Sequence, residues 1–223
     1  FPGTTSLVFG GTSVEAGVAR PVFRRYSVAS DGSLSADFAL MYPNPGNYCP
    51  NYRGCTITSV AVGGRSTATS PPRIYLGGAR LHDLGTSNWN FMVMSLSTDG
   101  SPNTSFNQAG IQDAGFDLNG SDDNDAVTAM AVVPAGVQVG ASNLNQEQVY
   151  LVGNVAVPCH VATGIVKLLG DGTFDDGFGF SGLEYDQANY VAPGTDCQSL
   201  ASVSDLFPNA AGYMNGTLAI VGY

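Results

Sequence analysis

The stretch from Asp117 to Asp125 places oxygen-bearing side chains at alternate positions, Asp117, Asn119, Ser121, Asp123 and Asp125, as a calcium ion would recruit them. A helix-flanked calcium loop closes on a bidentate Glu and turns on a Gly near its middle. Here the closing Glu is missing and Gly120 stands out of place, so a solvated acidic loop before the strand at Ala126 competes with a calcium site. Asp31, Asp99 and Asp171 each precede a Gly and then a Ser or Thr. One carboxylate per turn falls short of the oxygens calcium takes, and these turns read as structural.

Covalent catalysis finds little footing. No Gly-x-Ser-x-Gly elbow occurs, and the two histidines, His82 and His160, have no recognisable Ser or Cys partner arrangement. The adjacent acidic pairs Asp122-Asp123 and Asp175-Asp176 would point to opposite faces of a strand, which argues against a shared glycosidase-like site. The reading is a protein without enzymatic machinery.

Four cysteines allow three pairings, of which Cys49–Cys55, around a small Pro/Gly loop, and Cys159–Cys197 are favoured over a zinc site, which wants closer pairs and more His. Disulfides place the chain in an oxidising compartment, extracellular or at a cell surface. Asn103, Asn119 and Asn215 each fit the N-glycosylation acceptor pattern. Eight basic against eighteen acidic residues give a formal charge of -10, with Lys167 the single lysine, which excludes nucleic acid and anionic lipid as ready partners. No apolar run is long enough for a membrane span. Trp89, Tyr48, Tyr52, Tyr185 and Tyr190 fall in expected loops, where aromatic rings stack on glycans, grip a protein partner or plug the loop itself.

The elements that must position these groups are repeated. Asp-Gly-Ser/Thr followed at a fixed distance by Phe occurs as Asp31-Gly32…Phe38, Asp99-Gly100…Phe106 and Asp171-Gly172…Phe178, copies roughly 70 residues apart. An apolar strand ending in Gly recurs at Leu7–Gly11, Ile74–Gly78, Val149–Gly153 and Leu218–Gly222, with the first three about 20 residues ahead of an Asp-Gly. High Gly and Pro, few charges and many Ser, Thr and Val describe short strands joined by tight turns, an all-β chain with almost no helix.

In the second unit, strands are expected at Thr56–Val62, Arg73–Leu76 and Asn90–Leu96, then a reversal at Asp99-Gly100, where both residues tolerate positive φ, and a fourth strand carrying Phe106. The third unit repeats this at Ala126–Val133, Gln148–Val152 and Gly164–Leu169. The first unit has lost its first strand and the last keeps only two, around Leu200–Leu206 and Leu218–Val221. The resulting single repeat domain, 1–223, divides approximately into units 1–54 (partial), 55–124, 125–196 and 197–223 (partial).

Four antiparallel strands per unit, with Gly closing the second and Asp-Gly-Ser/Thr after the third, resemble the delta-60 repeat of exported bacterial proteins. The resemblance implies a secreted, β-propeller-like scaffold and supplies no catalytic residue. Propellers close with about four to eight blades, whereas this chain makes about three, with one second strand surplus. A strand lent to a neighbour would join copies head to tail into a fibre. The alternative is a glycan- or protein-binding module cut from a longer propeller.

Overall fold

The computed structural model describes residues 5–15, 18–36, 54–64, 71–82, 88–118, 124–139, 142–186, 208–214 and 217–222. Within them the chain is all-β, built from tandem antiparallel sheets. The first unit holds β1 (Thr5–Glu15), β2 (Val18–Val28) and β3 (Leu34–Ala36), in that spatial order. The second is a four-stranded meander of β4 (Cys55–Gly63), β5 (Arg73–Leu81), β6 (Trp89–Ser97) and β7 (Ile111–Ala114). The third begins with β8 (Ala126–Val133), detours through the small hairpin β9 (Gln138–Val139) and β10 (Ser142–Asn143), and continues through β11 (Gln148–Val157), β12 (His160–Leu169) and β13 (Leu183–Tyr185). Its sheet order, β8-β11-β12-β13, repeats the second unit's meander. The fourth unit is the hairpin β14 (Pro208–Met214) and β15 (Thr217–Gly222). No helix among the described residues is long and apolar enough to cross a membrane.

The sheets stack face to face, so the inner strands are covered on both sides and read as near-continuous apolar runs. In β5 and β6, alternate residues serve different cores. Ile74, Leu76, Met92, Met94 and Leu96 pack backward with Phe23 and Val8 of the first unit. Tyr75, Phe91 and Val93 pack forward with Val149, Leu151, Val166 and Leu168 of the third. Tyr150 in turn faces forward, with Tyr213 and Leu218 of the fourth unit packed against its cluster. Each sheet thus has a trailing face toward the preceding unit and a leading face toward the next.

The glycine that recurs at the end of the second strand has a packing cause. The first strand of the second unit bulges between Ile57 and Ser59 opposite Gly78, and the pairing of β8 with β11 slips in the same way at Gly153. A Cβ on Gly78 would lie 1.7 Å from the Thr56 carbonyl oxygen, and one on Gly153 would lie 2.0 Å from that of Ala126. Only glycine lets the bulged strand approach so closely.

Two expectations change, and a third falls outside the described residues. The fourth strand does not carry Phe106: it begins at Ile111, because the chain makes a further turn around the buried Phe106 before rejoining the sheet. Only the glycines of the Asp-Gly reversals are left-handed, with φ of 81, 84 and 86 degrees at Gly32, Gly100 and Gly172. The aspartates fix the turn through hydrogen bonds instead. The described strands of the last unit are β14 and β15, and the segment Leu200–Leu206, expected as its first strand, lies outside the described residues, as does Phe38.

Candidate functional site

The three reversals share one hydrogen-bond pattern. Gly32, Gly100 and Gly172 donate their N–H groups to Ala29, Ser97 and Leu169, each at 2.9 Å, and the return bonds reach Ser33, Ser101 and Thr173. Asp31, Asp99 and Asp171 accept from the N–H two residues on at 2.9, 2.9 and 3.0 Å. Those bonds, led by the Ser or Thr hydroxyl, hold all three carboxyls below the usual carboxylate range. In each carboxylate Oδ1 is engaged by its own turn.

After the turn, units two and three continue in parallel. Phe106 N–H donates to Asn103 O and Phe178 N–H to Asp175 O, both at 2.9 Å. Gly110 N–H then donates to Phe106 O and Gly182 N–H to Phe178 O. Gly110 and Gly182, at φ of 79 and 90 degrees, end this cap. In the sequence, the mark of the cap is this second glycine, at the same distance from Asp99 as from Asp171.

Between units the same positions are tied repeatedly. Arg25 Nη1 donates to Thr98 O at 2.7 Å and Arg73 Nη1 to Gly170 O at 2.6 Å, in each case the carbonyl just ahead of the next unit's Asp-Gly. The bulged Thr58 donates to Val127 O and the bulged Thr128 to Pro208 O, each time reaching the first strand of the next unit. In unit one, where β1 is the first described strand, Thr12 of β1 makes the equivalent tie, its Oγ1 accepting from the Ile57 N–H at 2.7 Å. Between units two and three, the buried Glu147 accepts from Tyr75 Oη and Gly64 N–H. Burial, then the charge of Glu147, pushes the Tyr75 phenol up.

Of the candidate calcium ligands, Asp117 and Asp125 are among the described residues. Asp125 is fully buried and accepts from Phe116 N–H and Ala156 N–H at 3.0 Å each, bracing two units rather than facing a loop ion. Asp117 has φ of 50 degrees, and Asn119, Ser121 and Asp123 lie outside the described residues. Among the described residues no group of three His, Cys, Asp or Glu is placed to hold a metal.

Asn103 uses both ends of its amide, Nδ2 donating to Ser95 Oγ at 3.0 Å and Oδ1 accepting from Ser105 Oγ at 2.6 Å, so a glycan on Nδ2 would compete with the bond to Ser95. Asn119 and Asn215 lie outside the described residues. Cys55 and Cys159 are each disulfide-bonded, and no cysteine among the described residues is free; Cys49 and Cys197, and with them the expected pairings, lie outside the described residues. Trp89 and Tyr185 belong to strands rather than loops, and the Trp89 ring closes over Gly54. Tyr48, Tyr52 and Tyr190 are not among the described residues. One polar pair stands apart at the end of the second sheet, Arg80 with Asp113, where burial pushes the Asp113 carboxyl up to about 6 against the pull of Arg80 and then His82.

What the arrangement offers is surface at its two ends. Leu7 and Phe9 match Ile74 and Leu76 in unit two and Val149 and Leu151 in unit three, whose side chains are buried, yet they stand 42% and 54% exposed. Phe9, with Tyr26 and Leu34, borders a groove of about 520 Å³ on the trailing face of the first sheet. The Phe9 ring meets Tyr26 edge-on at 5.6 Å, and the Arg24 guanidinium lies 5.1 Å from the centre of the Tyr26 ring. At the other end the leading face of β15 exposes Val221, at 66%. Comparisons with protein-family models, with curated proteins and with solved structures found no match.

Proposed function

We propose that this chain is an extracellular structural protein whose copies join head to tail through their incomplete terminal units. One observation carries the reading: among the described residues β1 pairs only with β2 and β15 only with β14, although both occupy the second-strand place, which in the complete units is paired along both edges. Open edges with free backbone groups recruit another chain, and a contact between two different ends of a molecule propagates until it closes. Strand complementation between copies would satisfy both edges. The delta-60 resemblance, extended by the shared Phe caps, supports a propeller-like arrangement of the units. Disulfide-bonded Cys55 and Cys159 support an oxidising compartment.

Light scattering and negative-stain microscopy of the native particle at micromolar concentration test the proposal. Elongated oligomers are expected, and a strictly monomeric particle overturns it. The aromatic groove at Phe9 and Tyr26 favours a second reading, a glycan- or protein-binding module. Glycan-array binding by a monomeric protein, lost in Phe9→Ala, would select that reading instead.

A further inference from the structure

Repeat proteins ordinarily finish in capping units whose outer faces are polar. This chain does the opposite. Its two outer faces carry Leu7, Phe9, Tyr26 and Leu34 at one end and Val221 at the other, at positions that the complete units use for core. Leu7, Phe9, Leu34 and Val221 are among its most exposed large apolar side chains.

We infer that the leading face of the β14–β15 hairpin of one copy stacks on the trailing face of β1–β3 of the next, with Phe9 seated against Val221. The inference rests on the head-to-tail reading and names the surface it uses, a stacked face beside the open edges. The occupant is a second copy because the missing surface at each end is the kind that the other end presents.

The internal junctions set the register. At the first junction the leading position is Gly10, where a Cβ would meet Leu76 at 2.9 Å and Val60 at 3.3 Å. At the second it is Gly77, where a Cβ would meet Met130 of β8 at 2.5 Å. The leading position is therefore glycine where large side chains of the next unit, Leu76 and Met130, crowd it; at the third junction, where the matching residue of β14 is Ala211, it is the buried Val152. Val221 holds the same position in the fourth unit, and Phe9 corresponds to Leu76 in the first unit of the next copy. Among the described residues no strand pairs with β1 on its outer edge, and none stands there in the place of Val60 or Met130. Val221 has a precedent in Val152, a valine buried in the leading position of the third unit. On the flanks, Ala219 and Gly212 of the hairpin are small, and a Cβ at Gly212 would touch nothing. A bulky aromatic face thus meets a shallow one.

The test uses two variants of the full chain, Phe9→Glu and Val221→Glu, studied alone and mixed by analytical ultracentrifugation. Each alone keeps one native end and should remain monomeric where the wild type assembles, its association weakened at least ~tenfold by the lost apolar contact. Mixed in equal amounts they should form a one-to-one dimer and nothing longer, because a single native junction survives. Assembly of either variant as readily as wild type overturns this surface while leaving head-to-tail association standing. A monomeric wild type removes both. Should Phe9→Glu fail to fold, as judged by its melting transition, Leu34→Glu on the same face takes its place with the same expected outcomes.

Discussion

Phe106 and Phe178 occupy the same place in two caps of the same design, yet Phe106 is fully buried and Phe178 is half-buried. The cause lies in the unit that comes after each cap. Unit three lays its Asp-Gly turn over the second unit's cap: Asn107 N–H donates to Asp171 O at 2.6 Å, and a Cβ on Gly172 would come within 3.0 Å of the Phe106 ring. Tyr75 completes the pocket edge-on at 5.8 Å. The described fourth unit is a two-stranded hairpin with no such turn, so Phe178 shelters instead under Lys167, 5.8 Å from its ring, and beside Tyr150. Each cap is finished by the next unit along the chain, and the repeat is a unit of sequence more than a unit of stability.

The largest effect should come from separating those two phenylalanines. Phe106→Ala is expected to cost about 3–5 kcal/mol, because the cavity is walled by two units. Phe178→Ala should cost only about 1 kcal/mol, since solvent already reaches the ring. Urea unfolding of both variants measures the gap, and equal losses would break the argument that the neighbouring turn buries the cap.

The turn glycines sharpen the same contrast. Gly32 and Gly172 share a left-handed φ, but a Cβ at Gly32 meets nothing within 4 Å, whereas one at Gly172 lies 2.9 Å from the Asn107 nitrogen. Gly32→Ala should lose about 1 kcal/mol through backbone strain alone. Gly172→Ala adds a steric conflict with the neighbouring unit and should lose about 2–3 kcal/mol. Thermal melts of the two variants, compared at matched pH, report the difference.

The turns are legible in the sequence because Asp-Gly-Ser/Thr fixes local geometry whatever packs around it, and β8 is legible from its apolar pattern. Sequence alone puts Phe106 in the fourth strand because an apolar residue after a turn looks like the start of a strand; the glycine at Gly110 marks where the cap closes. Thr58 and Thr128 give no sign of their role. In a Ser/Thr-rich chain a threonine in a strand is unremarkable, and only the slipped register shows that it leans across to the next unit. The end faces are half-legible. Alternation separates Leu7 and Phe9 from Val8, but the same alternation in units two and three marks core, and only the stacking order shows which copy lies outside.

The two units also differ in their ion pairs, and the signs are opposite. Asp113, paired with Arg80, is pushed up to about 6 because burial outweighs its partner. The native state therefore holds that proton more tightly than the unfolded chain, and stability falls as pH rises from about 4 to about 6, by on the order of 2 kcal/mol. Asp113→Asn should flatten that limb of a pH-dependent unfolding series, and a limb of unchanged slope would show that another group titrates there.

Asp175 in unit three runs the other way. The hydrogen bond from Lys167, at 2.7 Å, holds its carboxyl below the usual value of 3.8. The native state releases this proton more readily than the unfolded chain, so the contribution is complete above that value and disappears as pH falls through the lowered one. For Lys167, burial pulls the ammonium down, but Asp175 and Tyr150 together raise it, which extends the pair's contribution to the alkaline side of 10.5. In the equivalent place unit two holds Ser95 and Asn103, a neutral pair with no proton to lose. Replacing Lys167 by Ser and Asp175 by Asn should make unit three copy unit two. The expected cost is small, about 0.5–1 kcal/mol at neutral pH, because solvent screens the pair. The sharper readout is the slope: below about pH 4 the doubly substituted chain should lose stability less steeply than wild type. An unaltered acid limb would place the acid sensitivity in the Asp-Gly turns, whose carboxyls are also lowered, rather than in the one feature that distinguishes the two caps chemically.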